Sequence, residues 1–264
     1  MCELFGMSSR LPTTVRLSLA RLARRGRNET GLGDGWGAAF HDGTDIRLFK
    51  APGPAEGDPI VAALAAAPLV APIVLSHLRH ATQGARGLAN TQPFARELGG
   101  RMHVFAHNGN LLGIHARLAA AAPRFRPVGA TDSEAAFCLL LAQLAPLWDR
   151  PAPPEPAACA AVVAAFAAAL RPLGPANFLY SDGTCLFAHG DRRTQPGGGI
   201  APPGLHVLHR TCAVDPEALS AAGVGLPEAQ QVTLFASVPL SAEEWRPFGP
   251  GEVLMARAGT LEPI

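Results

Sequence analysis

The sequence predicts a layered α+β domain. Three observations carry this: short β-like runs broken by turn signals in the first half, two Ala/Leu-rich helical stretches after them, and a return to strands at the end. A doubly wound parallel sheet would alternate strand and helix throughout, and this chain does not. At 264 residues it is long for one domain of ~100–200 residues and short for two ordinary ones. We read residues 1–264 as a single domain, with Met1 removed and the mature chain starting at Cys2.

In chain order, strands are expected at Trp36 to Phe40, Ile46 to Phe49, Ile73 to His77 and Met102 to His107, with turns at Asp42-Gly43 and Gly99-Gly100. The helical stretch Ser133 to Trp148 has Thr131 or Asp132 as N-cap and Glu134 in its first turn, where the helix dipole favours an acid. Pro151-Ala152-Pro153-Pro154 reads as a connector to a second helix, Pro156 to Leu170. Strands return at Asn177 to Tyr180, Thr184 to His189, Leu205 to His209, Val232 to Val238 and Val253 to Arg257. The Gly/Pro-rich run Arg192 to Gly204 reads as a surface loop.

Composition removes whole classes of function. With 22 basic and 21 acidic side chains the net charge is +1, whereas a protein that neutralises phosphates shows a basic excess or patch. No nucleic-acid partner is expected. Lys50 is the sole lysine, so lysine Schiff-base chemistry would rest on it alone. The apolar run Ala157 to Leu170 is shorter than the ~18 residues that span a bilayer. The N-terminus has no basic-then-apolar signal pattern, and the basic stretch Arg16 to Arg27 reads as an exposed helix flank. The expected location is the cytoplasm. The 5 cysteines are odd in number and widely spaced, against both a disulfide framework and a cysteine zinc site.

Four local patterns carry chemistry. Loss of Met1 would leave Cys2 as an N-terminal nucleophile with its own base, because an α-amino group titrates near ~7.7–8.0, close to working pH. Next, His107-Asn108-Gly109-Asn110 ends an expected strand, so the Asn108 side-chain N–H and the Gly109 backbone N–H could converge on a developing oxyanion. Taken alone, Asn-Gly is better read as an ordinary hairpin turn. Ser76-His77-Leu78-Arg79-His80-Ala81-Thr82-Gln83-Gly84 places Arg79 at a strand end, where its fork suits a carboxylate; Asn90-Thr91-Gln92-Pro93-Phe94 follows. Last, Thr131-Asp132-Ser133-Glu134 is a good helix cap in which Asp132 could also meet an ammonium.

Taken in order, Cys2, R-x-A-T-x-G, N-x-Q-P-F, H-N-G-N and T-D-S-E resemble the class II glutamine amidotransferases, which are N-terminal-nucleophile (Ntn) hydrolases. The likeness spans roughly residues 2 to 140 and includes Asp34-Gly35-Trp36-Gly37. The opening Met-Cys-Glu-Leu-Phe-Gly-Met and the run Arg126 to Glu134 are most similar to the stand-alone YafJ-like group. A more distant likeness is to the γ-glutamyl amidohydrolase of ergothioneine biosynthesis. The resemblance implies a four-layer αββα sandwich and a glutamine or γ-glutamyl substrate, with no cofactor and no metal. Residue by residue it implies Cys2 as nucleophile, Asn108 and Gly109 as oxyanion hole, Arg79 on the substrate α-carboxylate and Asp132 on its α-ammonium, with Thr82 and Gln92 lining the pocket. His80 and Gln83 stand where synthase-linked relatives vary. No synthetase segment or phosphate-binding loop is read after Cys138, so ammonia is expected either to be released or to pass to a separate accepting protein.

Two readings compete. His103 and His107 lie on one face of an expected strand, with His77 and His80 nearby in sequence, which would suit a metal hydrolase had an acidic cluster accompanied them. The other is a non-catalytic partner subunit, for which an N-terminal thiol is superfluous.

Overall fold

The computed structural model describes residues 2–14, 33–80, 84–121, 124–195, 197–213 and 229–264. Strand β1 (Glu3–Thr13) runs through the middle of a seven-stranded antiparallel sheet because both of its faces are covered. Leu4 faces a second sheet while Phe5 and Met7 face the opposite way. A Cβ on Gly6 would come within 3.0 and 3.2 Å of Leu179 and Leu186 in that second sheet. Its neighbours are β4 (Ala71–Arg79), with Glu3 opposite Leu78, and β12 (Ala229–Ala236), with Phe5 opposite Ala236. Beyond β4 come β2 (Gly35–Asp42) and the edge strand β3 (Asp45–Ala51); beyond β12 come β11 (His206–Ala213) and the two-residue β13 (Arg246–Pro247).

The facing sheet has six antiparallel strands in the order β15 (Thr260–Glu262), β14 (Glu252–Arg257), β8 (Cys185–Gly190), β7 (Ala176–Ser181), β6 (Arg101–Gly109) and β5 (Phe94–Leu98). Leu4, Ile73 and Leu75 of one sheet meet Val104, Ala106 and Leu179 of the other in a dry layer. Each such side chain, once buried, stabilises the fold by roughly 1.5–3 kcal/mol.

Helices close both outer faces. On the six-stranded sheet lie α2 (Ile114–Ala121), α3 (Asp132–Trp148) and α4 (Pro156–Leu170). Phe137 of α3 stacks on Phe105 of β6 with ring centroids 5.3 Å apart, and Phe166 of α4 meets Phe178 edge-on at 5.8 Å. On the seven-stranded sheet the short α1 (Pro59–Ala66) lays Val61 and Leu64 against a cluster containing Trp36 and Phe40. The result is helix, sheet, sheet, helix: the αββα sandwich.

Several local outcomes depart from the sequence reading. The run Arg192 to Gly204 is not only loop, since it contains a small hairpin of β9 (Arg193–Thr194) and β10 (Ile200–Ala201). Helix α1 follows a Gly/Pro-rich stretch and is started by Asp58, whose carboxylate accepts from Ile60 N at 2.8 Å and from Trp36 Nε1 at 2.9 Å. Thr131, not Asp132, caps α3, its hydroxyl accepting from Glu134 N at 3.2 Å. The stretch Pro156–Leu173 reaches 18 residues at a mean hydropathy of 1.7, enough by length and composition to cross a membrane and longer than the apolar run read from sequence. In the sandwich, Cys159, Val163, Phe166 and Leu170 of this stretch are buried against the sheet. Arg16 to Arg27 lies outside the described residues.

Buried histidines make the fold acid-sensitive. Burial is the largest cause in holding His41, His103 and His189 down to about 4 and His77 to about 3. In the unfolded chain each returns to about 6.5. The fold is therefore unpenalised above pH 6.5 and loses stability as pH falls from there towards 4, at ~1.4 kcal/mol per pH unit for each histidine. Together the four remove ~5 kcal/mol by pH 5, on the order of 10–20 °C in Tm. Calorimetry at pH 7 and pH 5 checks this, and an unchanged midpoint contradicts it.

Candidate active site

The sequence motifs lie at one end of the sandwich because the strands bearing them finish there. Cys2 precedes β1, and Arg79 ends β4, the strand paired antiparallel beside it. Asn108 and Gly109 end β6, opposite Asn177 and Ala176 at the start of β7. The first turn of α3 brings Asp132 to the same end: Asp132 Oδ2 accepts from Leu111 N at 2.8 Å, just past the H-N-G-N run.

The Cys2 thiol is held by the backbone of His80. His80 N donates to Sγ at 3.1 Å, and the thiol donates to His80 O at 3.3 Å. Burial pushes the Cys2 thiol up, while the His80 N–H and the Arg79 charge act the other way. The thiol therefore rests protonated and requires a base. Among the described residues no imidazole or carboxylate hydrogen-bonds to Sγ.

Asn108 Nδ2 donates to Cys2 O at 2.7 Å, which orients the amide against the nucleophilic residue. Gly109 is required by crowding: a Cβ there would overlap the Pro175 carbonyl oxygen and lie 2.7 Å from His107 Nε2. Cys2, Asn108 and Gly109 share the wall of a cavity of about 300 Å³ with His80 and Asn110. The rest of its wall is Pro175, Asn177, Arg193, Thr194 and Ile200, so part of the run Arg192 to Gly204 lines the cavity.

The other expected residues sit around this cavity without forming its described wall. Arg79 is buried and donates to Gly84 O at 2.9 Å and Ala85 O at 3.4 Å. Asn90 Nδ2 donates to the same Ala85 O at 2.9 Å, while its Oδ1 accepts from Ala130 N, tying the segment after Arg79 to the start of α3. Asp132 also accepts from Ser133 N at 2.8 Å. Gln92 supports the site from behind: its Nε2 donates to His107 O at 3.1 Å and its Oε1 accepts from His107 N at 2.6 Å, pinning β6 one residue before Asn108. Thr82 lies outside the described residues.

Sequence reasoning missed Asn177 and Arg193, and named His80 without its contact to Cys2. His80 contributes only backbone atoms, which leave no side-chain signal. A buried polar residue inside an otherwise apolar strand could have marked Asn177. His103, proposed above for a metal, is committed to Tyr180 Oη at 2.7 Å and Leu98 O at 3.1 Å, and His107 Nδ1 pairs with Ser133 Oγ at 2.9 Å. Among the described residues no group of three or more His, Cys, Asp or Glu could hold a metal ion.

A family model described as "Glutamine amidotransferases class-II" matches residues 1–264. The chain belongs to the class II glutamine amidotransferases. This amidotransferase is 36% identical over 259 residues to Escherichia coli (strain K12) YafJ, provisionally named a glutamine amidotransferase, covering 96% of each chain. Among solved structures it is similar to a predicted glutamine amidotransferase from Pseudomonas aeruginosa PA01, with a TM-score of 0.66, 27% identity and full coverage of both chains. It also superposes on the Bacillus subtilis glutamine phosphoribosylpyrophosphate amidotransferase complexed with ADP and GMP. That match has a TM-score of 0.63 and 18% identity and covers 99% of this chain and 48% of the other. At that identity the likeness speaks to the fold alone, and the fold is the sandwich that the motifs implied.

Proposed function

We propose that this amidotransferase hydrolyses the side-chain amide of glutamine or of a γ-glutamyl amide through a γ-glutamyl thioester on Cys2. The observation that carries the reading is the Cys2 thiol opening into a cavity beside Asn108 and Gly109. Because burial keeps the thiol protonated, attack needs a base at the moment of reaction. An α-amino group on Cys2 itself, freed by loss of Met1, supplies one of matched strength. The sulfur attacks the amide carbonyl, and Asn108 Nδ2 and the Gly109 N–H receive the oxyanion. Ammonia or an amine then leaves with the proton held by the Cys2 amine, and water cleaves the thioester to return the thiol. Arg79 is assigned to the substrate α-carboxylate and Asp132 to its α-ammonium, a matched pair of opposite charges. Thr82 is assigned to the pocket. Methionine removal before a small second residue is cytosolic processing, so a cytoplasmic location belongs to this reading, as does release of ammonia either freely or to a separate accepting protein.

Mass spectrometry of active protein should show the loss of one methionine. A panel of glutamine and γ-glutamyl amides, assayed for released ammonia or amine, identifies the substrate. Full turnover by protein that retains Met1 would rule out the Cys2 amine as base.

A further inference from the structure

We propose that Arg193 and Glu3 are a positioning pair that locks the β9–β10 hairpin, one wall of the cavity, to the strand that carries Cys2. The inference rests on Cys2 being the reactive thiol. Glu3 is the residue directly after Cys2, and Arg193 is the first residue of the hairpin and lines the cavity. The contact is a fork: Arg193 Nη2 meets Glu3 Oε1 at 3.0 Å, Nη1 meets Glu3 Oε2 at 3.3 Å, and Nη1 also donates to Ser237 O at 2.7 Å. Arg193 is 5% and Glu3 7% exposed, so neither charge is relieved by bulk water. Breaking such a pair from one side strands the other charge, and a lysine cannot reproduce the planar fork.

A ring of bonds gives the pair its leverage. Cys2 O accepts from Asn108 Nδ2, and Asn108 O accepts from Asn177 Nδ2 at 3.0 Å. Asn177 Nδ2 also donates to Arg192 O at 2.9 Å, and its Oδ1 accepts from Asp191 N at 2.9 Å, so the hairpin stem hangs from the oxyanion strand. A Cβ on Gly204, at the far end of the same run, would overlap Asn177 Oδ1, so the run closes tightly around that amide. Arg193 to Glu3 is the link that returns the ring to Cys2. Nucleophile, oxyanion donor and outer wall are thereby set relative to one another.

The pair also balances charge at the sulfur. The charged and titratable groups around the thiol are the chain's α-amino group, Glu3 next in sequence, Arg79 and His80 at the end of β4, and Arg193 in the cavity wall. Glu3 opposes a thiolate and Arg79 favours it. Arg193, forked onto Glu3, offsets part of that carboxylate's effect.

The test is the rate of iodoacetamide alkylation of Cys2 between pH 6 and 11.5, read on the N-terminal peptide of the full-length protein. The series is wild type, Glu3→Gln, Arg193→Lys, Arg193→Met and the double Glu3→Gln/Arg193→Met. An unbalanced Glu3 in Arg193→Met should move the alkylation midpoint up about one unit, roughly a tenfold slower reaction at neutral pH. Glu3→Gln should move it down, and the double variant should return to within about threefold of wild type. Arg193→Lys keeps the charge but not the fork, so it should hold the midpoint while proteolysis at Gly197 to Gly199 accelerates severalfold. A Glu3→Gln midpoint that coincides with that of wild type, with only Tm moving, overturns the pair, even should Arg193→Met fail to fold. Alkylation needs no amide substrate: a wild type that alkylates as described yet hydrolyses no amide counts against the proposed function and leaves the pair standing.

Discussion

Cys2→Ala is expected to abolish amide hydrolysis, lowering kcat by about 10⁴-fold or more while the sandwich persists with Tm within a few degrees of wild type. The magnitude follows from what the substitution removes. Without sulfur no thioester forms, and the two-step route reduces to direct attack by water within a binding cavity. Nucleophile deletions at comparable sites leave only the oxyanion hole and binding energy, a residual acceleration of ~10³–10⁴ over water. The stability cost is small because Cys2 precedes β1 and, among the described residues, its thiol makes hydrogen bonds to the backbone of His80. Binding of unreacted substrate should survive, since Arg79 and Asp132 are untouched, so the variant suits calorimetric titration with glutamine. Persistent hydrolysis by Cys2→Ala protein would remove the thioester from the reaction altogether. The same variant separates the non-catalytic reading, in which wild type and Cys2→Ala are equally inactive and bind a partner equally.

How far the site could be read in advance depends on which atoms it uses. Asn108, Gly109 and Asp132 occupy strand and helix ends, where short polar motifs interrupt apolar runs, and such interruptions are visible in one dimension. Gln92 was visible in the same way, yet its work is done on the His107 backbone, behind the cavity. His80 was legible only as a side chain, whereas its contact with Cys2 is main-chain. Arg193 and Glu3 lie 190 positions apart, and nothing in either neighbourhood pairs them before the chain is folded. The fold shows a similar division. Helices α3 and α4 carry long apolar stretches, opened by Thr131 and by Pro156, and β6 is a run bounded by the Gly99-Gly100 turn and the H-N-G-N motif. Strand β1 escaped because both its faces are buried from Glu3 to Ser9, which erases the polar–apolar alternation that marks a half-exposed strand. Helix α1 escaped because its Asp-Pro start sits at the end of a Gly/Pro-rich run, where the same residues signal a turn.

Gly109→Ala tests the geometry rather than the chemistry, and it should cost nearly as much as losing the oxyanion hole. The added methyl would overlap the Pro175 carbonyl oxygen and approach His107 Nε2 to 2.7 Å and Pro175 C to 2.9 Å. Two of these three neighbours are backbone, so no side-chain rotation relieves the clash, and the ends of β6 and β7 must separate. Asn110 N donates to Pro175 O at 3.0 Å and Asn177 Nδ2 to Asn108 O at 3.0 Å, so both bonds stretch as the strands part. Losing a single oxyanion donor costs ~10²–10³ in kcat, and a 1 Å misplacement of a reacting group can cost ~10². We expect kcat to fall by about 10³-fold with KM changed less than tenfold, because the residues assigned to the α-carboxylate and α-ammonium stay in place. Overpacking should lower stability by ~1–3 kcal/mol, or about 2–12 °C in Tm for a domain of this size. The contrast with Cys2→Ala is the informative part: Gly109→Ala keeps the thiol, so Cys2 should still be alkylated and single-turnover acylation should be slow yet measurable. A Gly109→Ala enzyme with wild-type kcat would mean that the strand ends yield freely, and that the oxyanion is held elsewhere.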